Sequence, residues 1–348
     1  MQVYYNLEDI KYSPNRILTV GTYDGVHIGH QYIIKRLTDL SSSKSRISKT
    51  DKYDNIASYK SMLVTFEPHP QIFFNKSIPS LRLLTTIEER LDILKKLKID
   101  EVFIVPFDKE FANMEAKNFI INYLYNKIGF SDFLVGFNHN FGRNREGTYE
   151  LIKQLELPDV NIISCEPVFF DDITVSSTKI RNAIVNKKLE LANSMLGRFY
   201  SVSGVVVNGN KVGKKIGFPT ANIQTDNKHK LIPPDGVYSC DIKIFDEIFQ
   251  GMASIGTRPT FNNSESKNTT TTNNNNKINI NINNFNNNSS SSSNIQHTLE
   301  VNIFKFDKDI YGAKVEVYFK KFLREEIKFN SVDELVEQIK KDKIAATI

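Results

Sequence analysis

The chain has 348 residues, of which 40% are hydrophobic, 24% charged and 11% aromatic. That composition excludes a wholly disordered, collagen-like or coiled-coil protein and suggests two domains, each large enough to bury a core. The formal charge of +5, from 45 basic and 40 acidic residues, is too small and too interspersed to mark a nucleic-acid groove, although anionic small molecules suit it. Two cysteines, Cys165 and Cys240, leave no Cys-rich metal framework and suggest a reducing compartment, where both are expected as buried thiols. The longest apolar runs, such as Met62-Leu63-Val64, fall well short of the ~18 residues a membrane span requires. Met1 to Asp9 carries no leader pattern, so a cytoplasmic enzyme without membrane association is expected.

In chain order, Ile17 to Val20 ends at Gly21 and Ser61 to Phe66 ends at a Pro-rich turn, and both read as buried strands. Between them, Gln31 to Leu40 is patterned as a helix and Ser41 to Lys60 as a polar surface loop. Thr86-Ile87-Glu88-Glu89 is a capping-box pattern opening a helix with Ile87, Leu91 and Leu94 on one stripe. Glu101 to Pro106 follows as a strand, Phe111 to Ile128 as an amphipathic helix and Asp132 to Gly136 as another strand. This alternation predicts a parallel α/β sheet, an architecture suited to nucleotides.

After about Lys187 the pattern shifts to short alternating segments, Ser201 to Val207, Gly236 to Phe245 and Thr298 to Phe306, separated by Gly, Asn and Pro turns. A small β-barrel is expected there. Ser331-Val332-Asp333-Glu334 repeats the capping pattern before a final helix with Leu335, Val336 and Ile339 on one side, expected to pack on the barrel. The boundary between the halves falls near Leu189 to Arg198, giving domains 1–190 and 191–348. From Asn262 to Gln296, 15 of 35 residues are Asn, too polar to offset ordering entropy, and the stretch reads as a disordered insertion despite the alternation of Ile278, Ile280 and Ile282. Lengthening a loop from ~5 to 35 residues costs only about 1.7 kcal/mol in closure entropy, so a barrel tolerates it.

The string Gly21-Thr22-Tyr23-Asp24-Gly25-Val26-His27-Ile28-Gly29-His30 joins the first strand to the first helix, where backbone amides and the helix dipole favour phosphate oxygens. His27 and His30, three apart, lie on one side and can both donate to a triphosphate; Gly21, Asp24 and Gly25 belong to the same candidate phosphate-binding turn. The alternatives are a zinc pair, which would need further ligands, or two structural histidines. A second constellation runs from Gly204 to Gly209 through Lys211, Gly213, Lys214 and Lys215 to Gly217-Phe218-Pro219-Thr220-Ala221-Asn222. By itself the lysine-rich part reads as a solvated hairpin; the Pro-Thr-Ala-Asn tail makes it a candidate phosphate cradle. No P-loop string and no G-x-G-x-x-G are present.

The first string resembles the HxGH nucleotidyltransferases, and in full it is similar to the adenylyltransferase module of prokaryotic-type bifunctional riboflavin kinase/FAD synthetases. Phe66-Glu67-Pro68-His69-Pro70, Val135-Gly136-Phe137-Asn138 with Phe141-Gly142, and Ser176-Ser177-Thr178-Lys179-Ile180-Arg181 match that module in order and spacing. Gly217 to Asn222, Pro234 to Tyr238, Gly256 to Phe261, Leu299-Glu300-Val301, Tyr311-Gly312 and Phe322 to Glu326 resemble its flavokinase module. The resemblance implies an HxGH-type α/β domain with a parallel sheet, then a small β-barrel riboflavin kinase domain with a C-terminal helix. It implies phosphorylation of riboflavin to FMN and adenylylation of FMN to FAD, with ATP as co-substrate, Mg²⁺ as cofactor and no nucleic-acid or membrane partner. By the same resemblance His27, His30, Asn138, Ser177, Thr178 and Arg181 serve the adenylyl donor's phosphates, and Pro68 and His69 the flavin. Gly213, Lys215, Gly217 and Pro219 serve the kinase nucleotide, Thr220 and Asn222 the metal and phosphates, Glu300 the proton of the ribityl hydroxyl, and Arg324 the flavin. Tyr23 and His139 stand where that family usually has Phe, and Asn302 where it often has His. Two rival readings are a chain retaining only one activity and a non-enzymatic flavin- or nucleic-acid-binding protein.

Overall fold

The computed structural model describes residues 1–48, 58–74, 81–137, 141–143, 146–209, 213, 216–225, 227–258 and 296–347. Asn138, His139, Lys211, Lys214, Lys215, 259–261 and the Asn-rich stretch 262–295 lie outside them. The chain divides into two compact units. The first comprises Met1–Val185, Glu190–Phe199 and Asn227–Leu231; the second comprises Asn186–Leu189, Tyr200–Asp226 and Ile232–Ile348. The units thus interleave along the sequence.

The first unit is built on a six-stranded parallel sheet, β1 (Gln2–Tyr4), β2 (Arg16–Val20), β3 (Lys60–Glu67), β4 (Glu101–Pro106), β5 (Asp132–Gly136) and β6 (Asn161–Cys165), ordered β1-β4-β3-β2-β5-β6. Because β2 pairs with β3 on one side and β5 on the other, the direction of winding reverses between β2 and β5 and leaves a crevice at their carboxyl ends. The apolar runs are continuous because both faces are covered. Leu18, Val64, Phe103 and Phe133 meet one helical layer, while Ile17, Leu63, Val102 and Leu134 meet another containing Ile34, Leu37 and Leu94.

Helix α1 spans Ile28–Ser48, so much of the stretch expected as a loop from Ser41 is helical. Its serines do not break the helix because Ser41 and Ser43 donate their hydroxyls to the carbonyls of Thr38 and Leu40. Lys44 also pairs with Asp132 at 2.5 Å, anchoring the last turns. After the short helix α2 (Pro70–Phe74), α3 (Ile87–Lys96) starts with the expected reciprocal capping box between Thr86 and Glu89. The helix expected over Phe111 to Ile128 is broken into α4 (Lys109–Ala112), α5 (Ala116–Asn118) and a π-helical segment, Phe119–Ile128. The Ala116 amide is captured by Glu146 at 3.0 Å, and the wider bonding of the π segment keeps Ile120, Leu124 and Ile128 together in the core. Helix α6 (Tyr149–Gln154), the two-stranded β7 (Phe169–Phe170) and β8 (Ile173–Thr174), α7 (Ser177–Val185) and α8 (Leu189–Leu196) follow.

The second unit contains a closed antiparallel barrel of β9 (Tyr200–Val207), β10 (Ala221–Gln224), β11 (Gly236–Ile244), β12 (Glu247–Arg258), β13 (Gln296–Ile303) and β14 (Lys314–Arg324), in the order β10-β13-β12-β11-β14-β9. Alternation drives it: Tyr200, Val202 and Val206 of β9 and Val315, Val317 and Phe319 of β14 are buried, with more exposed residues between them. Gln296, expected within the insertion, already belongs to β13. Helix α9 (Val332–Thr347) packs Ile339 and Ala346 against Met252, Phe304 and Leu323. Its cap is variant: Ser331 Oγ accepts from the Glu334 amide as expected, but the Glu334 carboxylate reaches one residue further back, to the Asn330 amide. Both cysteines are buried free thiols, and no described helix is long and apolar enough to cross a membrane.

Candidate active sites

A cavity of about 690 Å³ opens at the carboxyl ends of β2, β3 and β5, lined by Gly21, His27, His30, His69, Ser177, Thr178 and Arg181 and, on an aromatic side, by Phe66, Phe107, Phe111, Phe137 and Phe141. The turn entering it is held in an uncommon backbone conformation. Tyr23, Gly25 and Val26 have φ of 49°, 83° and 38°, and a side chain at Gly25 would collide with Leu84 at 2.7 Å. Such a turn persists only when its surroundings over-determine it. Here Gly25 N–H donates to Thr85 Oγ1 at 3.0 Å, Arg198 donates to the Gly25 carbonyl at 2.7 Å and to the Val26 carbonyl at 3.2 Å, and Gln31 Nε2 donates to Val26 at 2.8 Å.

His27 caps α1: its Nδ1 accepts the His30 amide at 3.3 Å, and its ring stacks on that of His30 with centroids 3.6 Å apart. Burial, reinforced by Arg198 and Arg181 against the opposing pull of Asp24, lowers the His27 pKa to about 4. His69 is likewise lowered to about 4 by burial and by Arg90 and Arg181, again against Asp24, and its Nδ1 accepts the Gln71 amide at 3.2 Å. Both rings are neutral near pH 7, and because each Nδ1 is an acceptor the proton sits on Nε2, leaving an N–H donor on each ring. Among the described residues no three His, Cys, Asp or Glu side chains cluster as metal ligands, so the pair lacks the company a zinc site needs.

Asp24 and Gly25, expected at the phosphates, have a different place. Asp24 is fully buried and does not line the cavity; its carboxylate accepts the Leu84 and Thr85 amides at 3.1 and 2.9 Å and pairs with Arg181. Burial alone would raise it, but Arg181, Arg90 and the Thr85 amide together hold its carboxyl below the usual carboxylate range. A buried anion with all these donors on it orients a cation; it does not receive phosphate. Gly25 has both backbone polar groups engaged as described. Arg181 also donates Nε to the Arg82 carbonyl at 2.7 Å, and Ser177 Oγ donates to the Asp24 carbonyl at 2.8 Å, so the start of α7 and the turn after β2 form one framework. Pro68 is exposed and off the cavity wall; its neighbours Phe66, His69, Pro70 and Gln71 form that wall instead.

Sequence reasoning missed Arg90 and Arg198. Arg90, three residues after Ile87 and four before Leu94 on α3, is fully buried, with Nη1 donating to Thr65 Oγ1 at 3.2 Å. Its Nε and Nη2, and Glu67 Oε2, are buried without a hydrogen-bond partner among the described residues. The spacing of Arg90 from Ile87 and Leu94 puts it on the core stripe of α3, a periodic signal that its charge obscured. Tyr23, the departure from Phe, buries its hydroxyl against Thr19 Oγ1 at 2.7 Å, and Thr19 in turn donates to the Leu134 carbonyl. A polar atom is thereby accommodated without loss.

In the barrel, Glu300 on β13 lies directly opposite Asn222 on β10, and Thr220 Oγ1 donates to Glu300 Oε2 at 3.2 Å. The turn before β10 is shaped by the Gly213 carbonyl, which accepts the Ile216 and Phe218 amides, and by Gly217 at φ 84°. Asn222 lies so close to Gly209 that a Cβ there would sit 2.1 Å from its amide nitrogen. Asn302, the departure from His, is buried and donates Nδ2 to the Pro219 carbonyl at 2.7 Å, holding the residue before Thr220 in place. Arg324, expected at the flavin, grips Asp342 of α9 through Nε and Nη2 at 2.6 to 3.0 Å and donates Nη1 to the Glu325 carbonyl. With those donors engaged its visible work is to fasten the terminal helix.

Comparison with known proteins separates the same two regions. The FAD synthetase family profile matches residues 9–179 and the riboflavin kinase profile residues 196–348. Proteins named bifunctional riboflavin kinase/FMN adenylyltransferase are similar along nearly the whole chain. One from Buchnera aphidicola is 32% identical, covering 97% of this chain and 94% of its own. Another, from Bacillus subtilis, is 29% identical, covering 94% and 90%. A crystal structure described as a macrolide-efflux protein from Streptococcus pneumoniae, 28% identical, superposes with a TM-score of 0.78 over 99% of this chain and 98% of that one. On the two profile matches and on relatives similar over more than nine-tenths of its length, the chain belongs to the bifunctional riboflavin kinase/FMN adenylyltransferase family.

Proposed function

We infer that this chain makes FAD in two ATP-dependent steps, phosphorylating riboflavin to FMN in the barrel and adenylylating FMN in the parallel-sheet domain, with release of pyrophosphate. The observation that carries the reading is that each unit holds its own cluster of polar groups: neutral His27 and His69 with Arg181 on the cavity wall of one, Thr220, Asn222 and Glu300 in the other. We assign residues 1–190 to the adenylylating domain and 191–348 to the kinase domain.

In adenylyl transfer an oxygen of the FMN phosphate attacks the α-phosphorus of ATP and the bond to the pyrophosphate oxygen breaks. No covalent enzyme intermediate is needed, so the protein positions the reactants and stabilises charge. The Nε2–H groups of His27 and His69 supply neutral donors, and Arg181, aimed by Asp24 and the Arg82 carbonyl, supplies a cationic fork suited to phosphate oxygens. His30, Ser177 and Thr178 add polar groups on the same wall, with Gly21 leaving room beside them and Asn138 assigned to the nucleotide by its motif. The aromatic side of the cavity suits the isoalloxazine ring.

In the kinase step the ribityl hydroxyl oxygen attacks the γ-phosphorus, ADP leaves and the proton passes to Glu300. Mg²⁺ fits the donors present. The Thr220 hydroxyl donates a hydrogen bond to Glu300 and so keeps its lone pairs for a cation, and the Asn222 amide oxygen is a second hard donor. When bound, the ion would neutralise phosphate charge. Gly213, Gly217 and Pro219 shape the turn around the nucleotide, with Lys215 assigned by motif only. A cytoplasmic location, where ATP is supplied, fits this chemistry, and no nucleic-acid partner is proposed.

Incubating the full chain with riboflavin, ATP and Mg²⁺ and separating flavins over time tests the reading. FMN should appear first and FAD after it. FMN without FAD would leave only the kinase; conversion of added FMN alone would leave only the transferase; neither product would end the enzymatic reading.

A further inference from the structure

Asn227–Leu231 lies between β10 and β11 in the chain, far beyond the 9–179 stretch that matches FAD synthetases, yet it belongs to the first compact unit. It is paired there as a short parallel bridge. The Leu83 amide donates to the His229 carbonyl at 2.7 Å, the Leu231 amide donates to the Leu83 carbonyl at 2.8 Å, and Arg82 donates to the Lys228 carbonyl. At its centre Lys230 is buried, its side chain 1% exposed. Its ammonium donates to the Leu84 carbonyl at 2.7 Å and to Glu89 Oε2 at 2.6 Å.

The Leu84 carbonyl and the Thr85 amide are the two ends of one planar peptide group. Lys230 holds the oxygen end, and the nitrogen end donates to Asp24 Oδ1 at 2.9 Å. A cation on the carbonyl polarises the N–H and strengthens the bond it makes to the carboxylate. Asp24 in turn orients Arg181, whose Nε rests on the Arg82 carbonyl of the same strap. Arg82–Thr85 is therefore fixed from both sides: by the 227–231 segment on one, and by Asp24 and Arg181 on the other. Glu89 ties the same ammonium to the first turn of α3 through its bond from the Thr86 amide at 3.1 Å.

We propose that Lys230 is a positioning residue for adenylyl transfer, aiming Arg181 through the Leu84–Thr85 peptide and Asp24, so that the transferase site is completed by chain from beyond its own family region. The proposal rests on the reading of the cavity as the FMN-adenylylating site. Its test is kinetic, in the full chain. Lys230→Met should lower kcat for FAD formation from FMN by roughly 10- to 100-fold, the scale expected when a transition-state contact is misplaced by about an ångström, with KM for FMN and riboflavin phosphorylation within about twofold of wild type. Combined with Arg181→Ala it should add no further loss, because both changes remove the same contact.

Losses that multiply in the double variant would show that Lys230 acts through general stability, and an undiminished kcat would show that the strap holds without it; either overturns the proposal. If Lys230→Met does not fold, Lys230→Met/Glu89→Met leaves no unpaired buried charge while still freeing the Leu84 carbonyl, and carries the same expectations. Failure of the wild-type chain to make FAD from FMN would instead refute the underlying reading of the cavity.

Discussion

His30 lies between two rings, stacked on His27 with centroids 3.6 Å apart and tilted against Tyr23 at 4.8 Å. Its imidazole therefore has little rotational freedom at the cavity wall. His30→Ala should slow FAD formation by roughly 100-fold, the cost of one well-placed donor at developing charge, while riboflavin phosphorylation is unchanged; equal FAD rates in mutant and wild type would remove the residue from the mechanism. Glu300→Gln should do the reverse, lowering FMN production by about 10²- to 10⁴-fold as expected for loss of a general base, with adenylylation of added FMN intact. Tyr23 offers a test of stability alone. Its hydroxyl is satisfied by Thr19, so Tyr23→Phe should cost about 1 kcal/mol, read as a shift of the urea midpoint. A gain in stability would mean that the buried hydroxyl is a burden.

At the scale of elements, local pattern and tertiary anchoring compete. The serines after Leu40 look like a loop in sequence, yet α1 continues because Lys44 finds Asp132 and Ser45 Oγ accepts the Tyr59 amide at 2.8 Å. The apolar run over Phe111 to Ile128 reads as one helix, yet Glu146, from a distant loop, takes the Ala116 amide and the run divides. The Thr86–Glu89 capping box, the Ser331 half of the second cap and the barrel's alternation were legible because each depends on residues within a few positions of one another. Asn302 shows an element acting on a site: β13 carries it to the Pro219 carbonyl, so one strand presents both Glu300 and the support of Thr220. Asn302→Leu should leave that carbonyl unpaired and lower riboflavin phosphorylation about tenfold, the effect of a small displacement at a reacting centre, whereas Asn302→His should retain activity because an imidazole can also donate. Loss in both variants would point to packing at this position as the cause.

For the molecule as a whole, the buried histidines predict how stability varies with pH. His27 and His69 have pKa values lowered from 6.5 to about 4 in the fold. Between those values the unfolded chain binds protons that the folded chain refuses, so stability is complete above about pH 6.5 and falls as pH drops towards 4. At 1.36 kcal/mol per pH unit each histidine contributes about 3 kcal/mol to that loss. Urea unfolding at pH 7 and pH 5 should show the decline, and His69→Gln should make it shallower; an unchanged slope would place the acid sensitivity elsewhere.

Amino-acid order alone was enough for most strands and caps, the two candidate phosphate motifs and the division into a parallel sheet and a barrel. These follow from periodicity and from neighbours close in the chain, where side-chain direction is set by the local backbone. Tertiary structure decided what the motif residues do. Asp24 reaches Arg181 across 157 positions, Lys230 reaches Glu89 across 141 and Thr220 reaches Glu300 across 80. It set Asp24, expected at the phosphates, against Arg181, and Arg324, expected at the flavin, against Asp342 of α9. The reason is physical: a charged side chain's role depends on which opposite charge shares its low-dielectric surroundings, and folding alone brings such partners together.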